Sequence, residues 1–332
     1  MRRIALAVLL TSAALSTSPA FAEVPAVVAS IKPVHSLLSA VMQGVGEPLL
    51  LVRGAASPHT YALKPSDARA LSNADLVFWV GPELEGFLEK PLKANAKKAR
   101  SIALMEVPDM VLLDAREGGA WETHDHETHD HGDHEDHGDH GHDHKDEHAH
   151  NHDHDHGHDH GEVNTHIWLN PANAKRIIAT AAEALSAKDP ANATTYRTNA
   201  DRASQRIDVL DAELKAKLAP VVSKPFVVFH DAYHYYEAHY GLNGVGAITV
   251  NPERRPSAKR LSEIRAKITE LGAVCVFAEP QFEPALVDTI IEGTKARKGV
   301  LDPEGADIPD GPDLYPTLMA DIAAALTGCF GS

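Results

Sequence analysis

The sequence has only two cysteines, Cys275 and Cys329, among its 332 residues. They stand alone and far apart, without the close spacing of zinc-binding cysteine pairs, so a thiolate metal site is the less favoured interpretation. In an exported protein, an oxidising compartment favours a disulfide between them. Such a bond would close a loop of roughly 55 residues and stabilise the fold by about 2–4 kcal/mol.

Two other absences narrow the classes of function. No basic cluster offers a surface for nucleic acid, so we expect no nucleic-acid partner. The chain also lacks an H-E-x-x-H motif and shows no obvious general base or nucleophile, which argues against a hydrolytic enzyme. After the N-terminus, no segment is long and apolar enough for us to predict a membrane span.

The N-terminus has the three parts of a secretory signal peptide. Arg2 and Arg3 form the positive end, a short apolar run covers residues 4–15, and Ala20-Phe-Ala22 is a cleavage site of the A-x-A type. The apolar run is too short for a transmembrane anchor. We therefore expect residues 1–22 to be removed during export.

Residues 121–162 hold sixteen of the chain's 22 histidines, with fifteen Asp or Glu and one Lys. The net charge of -16 comes almost entirely from this segment. It has no apolar periodicity, so we expect a disordered loop. Imidazole and carboxylate at this density suit the capture of a borderline divalent metal such as zinc, although a solvated acidic loop that binds metal incidentally is the alternative. The histidines predicted to capture metal are His124, His126, His129, His131, His134, His137, His140, His142, His144, His148, His150, His152, His154, His156, His158 and His160.

Short β-branched runs alternate with helical patterns in both halves of the chain. The predicted strands are residues 26–31, 49–52, 75–80, 101–104, 226–229, 246–250, 274–277 and 299–301. Strands that alternate with helices favour parallel sheets covered on both faces. The predicted fold class is α/β, with two parallel-sheet lobes.

A helical pattern with few breakers runs from about Ala191 to Leu218. At 1.5 Å per residue it would span about 40 Å, long enough to cross from one lobe to the other. We expect an N-terminal lobe at 23–170, which carries the insertion. Helices that include the long linker follow at 171–222, and a C-terminal lobe follows at 223–332.

Three histidines outside the insertion lie where α/β proteins bind ligands. His59 lies in the loop after the second strand, and His166 lies just before a helix that Asn170 caps and Pro171 begins. His230 follows the first strand of the second half. Ligands bind outside the carboxyl ends of such strands, so we expect a metal site in the cleft between the lobes. Neutral imidazoles suit zinc, which usually takes four ligands.

The fourth ligand is left open. Asp302 and Glu279 each follow a predicted strand of the second half, although an ion pair or a helix cap would explain either carboxylate equally well. Water is the third candidate. His234, one helical turn after His230, is a candidate for a supporting or alternative ligand.

Seven stretches spread over the mature chain carry a resemblance to a known family. They are ASIKP at 29–33, GAASPH at 54–59, LKPSD at 63–67, ADLVFWVGPE at 74–83, THIWL at 165–169, VFHDAY at 228–233 and CVFAEPQ at 275–281. In combination they resemble the periplasmic solute-binding proteins of high-affinity zinc ABC importers (ZnuA type). The resemblance implies two α/β lobes bridged by one rigid helix, with Zn²⁺ between them.

The resemblance also implies His59, His166 and His230 as ligands, and an internal disulfide that fits Cys275 with Cys329. It implies a location in the periplasm and an inner-membrane ABC permease as partner; we expect a monomer. Related manganese binders replace some of the histidines with carboxylates. This chain keeps all three, which favours zinc.

One position departs from the family pattern. Many zinc-binding members carry Glu just before the first ligand, and this chain has Pro58 there. Asp302, which matches the acidic ligand of the manganese relatives, or a water must then complete the site.

The expected function is therefore zinc delivery, with the insertion as an accessory reservoir. A zinc storage or buffering protein would depend on the insertion instead. A hydrolytic enzyme with three histidines on zinc is a further alternative, because water on such a site reaches a pKa near 7. Protons compete with zinc for imidazole, so we expect affinity to fall below about pH 6.5.

Overall fold

The computed structural model describes residues 24–95, 98–116, 163–249, 256–282 and 285–331. The predicted signal peptide and the sixteen histidines of the insertion lie outside the described residues. The export signal and the metal-capturing segment therefore remain predictions.

Four parallel strands form the first sheet, in the order β2-β1-β3-β4. Their bounds are β1 Val27–Ala29, β2 Leu49–Leu50, β3 Leu76–Trp79 and β4 Arg100–Ala103. The helices that connect them are α1 Lys32–Met42, α2 Pro65–Asn73 and α3 Gly86–Asn95. The alternation expected for this half is confirmed.

Two helices follow the first sheet along the chain. Helix α4 spans Pro171–Lys188, and the side chain of Asn170 accepts the N–H of Ala172 at 2.8 Å, as expected for its cap. Helix α5 spans Ala193–Leu218, and its 26 residues extend about 39 Å. The predicted long helix is confirmed; it begins slightly later than expected because Pro190–Asn192 forms a 3₁₀ turn.

The second half repeats the plan of the first, with a parallel sheet in the order β6-β5-β7-β8. Its strands are β5 Phe226–His230, β6 Gly244–Thr249, β7 Cys275–Ala278 and β8 Arg297–Val300. The helices around it are α6 His234–Tyr240, α7 Ala258–Glu270, α8 Ala285–Ile291 and α9 Leu314–Gly331. The predicted α/β class with two parallel sheets is confirmed.

The disulfide predicted between Cys275 and Cys329 is present. It joins the first residue of β7 to the last turn of α9, with the two Cα atoms 6.4 Å apart. Phe330, beside it, packs at 5.9 Å from the ring of Phe226. The C-terminal helix is thus held to the second sheet by both a covalent bond and apolar contacts.

Helix α9 differs from one sequence expectation. Among the described helices, it is the one whose length and mean hydropathy match those of a membrane span. Part of its apolar surface is buried inside the protein, at Leu318, Ile322 and Leu326. A core helix of a folded domain has this composition for the same reason.

One apolar core runs through both halves of the molecule. Its members include Phe78 of the first sheet, Phe277 of the second sheet and Tyr196 of α5. Helix α5 packs against α1, α4 and α9. A shared, close-packed core of this kind resists hinge bending between the two sheets.

Candidate metal centre

His59 lies in the loop that leaves β2, one of the two edge strands of the first sheet. Its backbone N–H donates to Oγ of Ser57 at 3.3 Å. The residue as a whole is half-buried, but its Nε2 atom is buried and no hydrogen-bond partner faces it within the described part of the chain. Burying a nitrogen lone pair costs free energy unless a hydrogen-bond donor or a metal ion faces it. A metal ion therefore fits this position.

His166 precedes a 3₁₀ turn at Ile167–Leu169 and is 5% exposed. Asn164 holds it twice: the amide Oδ1 accepts the backbone N–H at 3.1 Å and lies 3.0 Å from the ring Nδ1. With Nδ1 protonated toward this oxygen, the lone pair is on Nε2. Asn164 was not singled out from the sequence, although its place two residues before a candidate ligand is a usable signal.

His230 is the last residue of β5. Its Nδ1 lies 2.7 Å from Oε2 of Glu279, whose side chain is fully buried, and its backbone N–H donates to Oε1 at 3.3 Å. A carboxylate behind a histidine fixes the ring and raises its basicity as a ligand. Glu279 therefore supports His230 from behind and is not part of the cluster as a fourth ligand.

The three imidazoles converge on one point. The Nε2 atoms of His166 and His230 are 3.1 Å apart, and one ligand atom from each of the three residues lies within 4.8 Å of the others. Across the described ranges, this is the one group of three or more His, Cys, Asp or Glu residues with metal-binding geometry. Loops after β2 and β4 and the end of β5 thus supply the donors predicted from the sequence.

Burial keeps two of these rings neutral. It lowers the pKa of His59 to about 3, with a further contribution from nearby His230. Burial also lowers the pKa of His166 well below 6.5, and His230 and His59 add to that effect. Neutral imidazoles with free lone pairs are the form that binds a metal ion.

The sequence profile of the family described as "Zinc-uptake complex component A periplasmic" matches residues 27–329. The chain belongs to this family. A relative named "High-affinity zinc uptake system protein ZnuA", from Brucella abortus (strain 2308), is 51% identical over 303 residues and 91% of each chain. A protein of the same name from Paracoccus denitrificans (strain Pd 1222) is 45% identical over 327 residues and 98% of each chain.

Solved structures show the same fold. One titled "Crystal structure of ZnuA" aligns with a TM-score of 0.70 at 24% identity, covering 92% of this chain and 100% of that chain. Another, titled "Crystal structure of 138-173 ZnuA deletion mutant plus zinc bound", aligns with a TM-score of 0.69 at 23% identity, covering 91% and 96%. The two-sheet architecture is therefore that of the zinc-uptake component A family.

In this family member, Asp302 is not part of the histidine cluster. Its Oδ1 accepts from Nε2 of Gln281 at 2.9 Å and from the backbone of Glu304 and Gly305 at 2.9 and 3.0 Å. Its Oδ2 accepts the N–H of Ala306 at 2.6 Å. The carboxylate organises the turn after β8, which is the capping role that the sequence left open as its alternative.

His234 also lies outside the cluster. It begins α6, and burial lowers its pKa, with a further lowering from the nearby Arg116. Its ring lies 6.4 Å from that of Tyr235 and does not belong to the cluster of three donors. The structure therefore brings together three of the predicted ligands and places Asp302 and His234 apart from them.

Proposed function

We propose that this zinc-uptake component A family member binds one Zn²⁺ through His59, His166 and His230 and presents it to an inner-membrane ABC permease. The observation that carries the proposal is the convergence of three buried or half-buried imidazoles whose ligand atoms lie within 4.8 Å of one another. Three neutral nitrogen donors suit zinc over harder cations such as manganese. The names of the relatives, which describe zinc uptake, point to the same metal.

A water completes the four-coordinate site in this proposal. Zinc usually takes four ligands, and the histidines supply three of them. The carboxylate of Asp302 accepts four hydrogen bonds of its own, and moving it would leave three backbone N–H groups without a partner. Losing those hydrogen bonds would cost more free energy than leaving the fourth coordination position to a water molecule.

The proposal is of a binding protein and not of an enzyme. Three histidines and a water on zinc also describe a catalytic site, but the family is described by uptake. We propose export through residues 1–22, action in the periplasm as a monomer, and lobe boundaries near 171 and 222. The histidines of residues 121–162 serve as an accessory zinc reservoir.

Calorimetric titration of zinc tests this function on the mature chain and on a form that lacks residues 121–162. We expect one tight site to survive the deletion, because all three donors lie outside the deleted segment. Weaker sites should disappear with the segment. Absence of a tight site in the shortened chain would favour storage by the insertion, and zinc-dependent ester hydrolysis at the tight site would favour an enzyme.

The pH dependence of zinc binding should be shallow. Three histidines with the ordinary pKa of about 6.5 would together lose about 10³-fold in apparent affinity between pH 7.5 and 5.5. The lowered pKa of His59, about 3, and that of His166 delay proton competition to lower pH. We therefore expect affinity still to fall below about pH 6.5, but by less than about 30-fold between pH 7.5 and 5.5.

Chelator competition at pH 7.5, 6.5 and 5.5, on the form that lacks residues 121–162, measures this dependence. Removing that segment avoids titration of its sixteen histidines. A loss near 10³-fold over this range would mean that the rings are as accessible to protons as free imidazole.

Glu279→Gln should weaken zinc binding by about 10–100-fold, the usual effect of removing a carboxylate behind a histidine ligand. The change keeps the size of the side chain but removes the charge next to Nδ1 of His230. Glu263→Gln is the matched control, since Glu263 is half exposed and pairs only loosely with Lys259 at 3.9 Å. Equal affinities of the two variants would show that Glu279 does not support the ligand.

A further inference from the structure

The guanidinium of Arg116 lies between two buried carboxylates. Its Nε is 3.0 and 3.2 Å from the two oxygens of Asp231, and its Nη2 also contacts Asp231. Its Nη1 is 2.5 Å from Oε2 of Glu237, and its Nη2 is 3.2 Å from Oε1. The three side chains are only 17%, 8% and 4% exposed. Charge-assisted bonds with this geometry are among the strongest in proteins, and burial reduces their screening by solvent.

Arg116 joins the two sides of the metal centre. It lies in a segment that is fixed to α4 by two hydrogen bonds between Val111 and the amide of Asn173, at 2.8 and 2.9 Å. Helix α4 follows the 3₁₀ turn that comes directly after His166. On the other side, Asp231 is the residue after His230. The ion pairs of Arg116 therefore connect a segment bonded to the helix after His166 with the residue that follows His230.

Three neutral hydrogen bonds reinforce this junction. The hydroxyl of Tyr235 accepts the N–H of Leu113 at 3.0 Å and donates to the carbonyl of Asn164 at 2.7 Å. The amide of Asn164 donates to the carbonyl of Asp231 at 2.6 Å. We call this set the seam: Leu113, Arg116 and Asn164 on the His166 side, and Asp231, Tyr235 and Glu237 on the His230 side. Asn164, which orients His166, is itself part of the seam.

The carboxylate of Glu237 occupies space that only a glycine at position 244 leaves free. It lies directly against Gly244 of β6, where a Cβ atom would overlap with it. Glycine at this position thus lets the carboxylate reach Arg116. Lys32 makes another charged contact between the halves, to the carbonyls of Ala306 and Ile308 at 3.0 and 2.8 Å, but neither of those residues adjoins a histidine of the cluster.

We propose that Arg116 is a latch, a positioning residue that holds the His166 and His230 sides together and so sets the rate at which bound zinc leaves. The inference rests on the proposed function. With the two Nε2 atoms 3.1 Å apart, a metal held by both rings leaves only when the rings separate. That movement stretches the seam, in which Arg116 makes the charged contacts. Loss of a buried, hydrogen-bonded charge pair acts mainly on dissociation and little on association.

The double variant Arg116→Gln/Glu237→Gln tests the latch without changing the local charge. It removes one positive and one negative group, so the net charge of the triad stays at −1 and its attraction for Zn²⁺ is preserved. The matched control is Arg176→Gln/Asp109→Asn, which removes an exposed ion pair between α4 and the same segment, 3.2 Å long and 41% and 77% exposed. Zinc release into excess chelator and zinc association are followed by stopped flow, with one equivalent loaded on the full mature chain.

We expect the double variant to release zinc at least about tenfold faster, with an association rate within about twofold of wild type. The control should match wild type in both rates. Arg116→Lys keeps the positive charge but loses the planar guanidinium that bonds two carboxylates. Its zinc release should therefore be slower than that of the double variant but faster than that of wild type. Release within twofold of wild type in a folded double variant overturns the latch and leaves the proposed function standing. A wild-type chain without a tight zinc site overturns the proposed function itself.

A second variant keeps the test decisive if the double variant does not fold. Glu237→Gln alone removes one carboxylate and leaves Arg116 paired with Asp231. Its release should be about threefold faster or more, since two of the charged contacts are weakened. An unchanged rate in this variant, with normal thermal unfolding, overturns the latch.

Discussion

His166→Ala is expected to weaken zinc binding at the three histidines by about 10²–10³-fold. Apparent zinc-binding free energies of about 10–16 kcal/mol in four-ligand sites correspond to roughly 2.5–4 kcal/mol for each ligand. Losing one ligand therefore lowers affinity by about 10²–10³-fold. His166 is also the ring that Asn164 orients through Nδ1, at 3.0 Å, and that faces Nε2 of His230, at 3.1 Å. Titration of the form that lacks residues 121–162 measures the loss directly.

His239→Asn is the matched control for this change. His239 is also partly buried and hydrogen-bonded, with Nε2 at 2.7 Å from Asp211, but it lies outside the cluster of donors. Its substitution should leave zinc affinity within about twofold of wild type. If both variants keep the tight site, the three histidines do not hold the metal, and the insertion becomes the leading candidate.

Cys275→Ser/Cys329→Ser is expected to give the largest loss of stability. The disulfide spans a sequence separation of 54 residues, and the chain-entropy model assigns a loop of this size about 4 kcal/mol of the free energy of unfolding. For a protein of this length, that corresponds to a melting temperature lower by about 6 °C. Contacts of Phe330 with Phe226 and Phe277 should keep α9 docked, so we expect a folded variant of reduced stability.

Thermal unfolding followed by circular dichroism measures the effect. Wild-type protein in strong reductant should melt at the same lowered temperature as the double variant, because both lack the bond. If the double variant instead melts at the same temperature as oxidised wild type, the packing of α9 and not the disulfide holds the C-terminus.

Sequence patterns predicted the elements whose causes are local. Continuous apolar runs such as residues 76–79 predicted strands buried on both faces, and the structure confirms them as the centres of parallel sheets. The cap at Asn170 was predicted because its side chain bonds to a neighbour two residues away. The one long helix was predicted because helical periodicity without breakers is visible in a linear sequence.

Functional residues were predictable to different degrees. His59, His166 and His230 stand at ends of strands or starts of helices, and topology alone brings such positions to one edge. The role of Asp302 could not be predicted, because a carboxylate after a strand can bind a metal or cap a turn. The hydrogen bonds to Gln281 and to three backbone N–H groups decided between the two.

The sequence by itself determined the α/β class, the pairing of the two cysteines and the three converging donors, because each depends on residue type, periodicity or order along the chain. Only the tertiary structure decided that the pKa of His59 falls to about 3, because burial depends on what packs around the ring. It also decided that Arg116 meets Asp231 and Glu237, residues 115 and 121 positions away in the sequence. These three side chains meet through the packing of the whole chain, and none of them stands in a local pattern that predicts the contact.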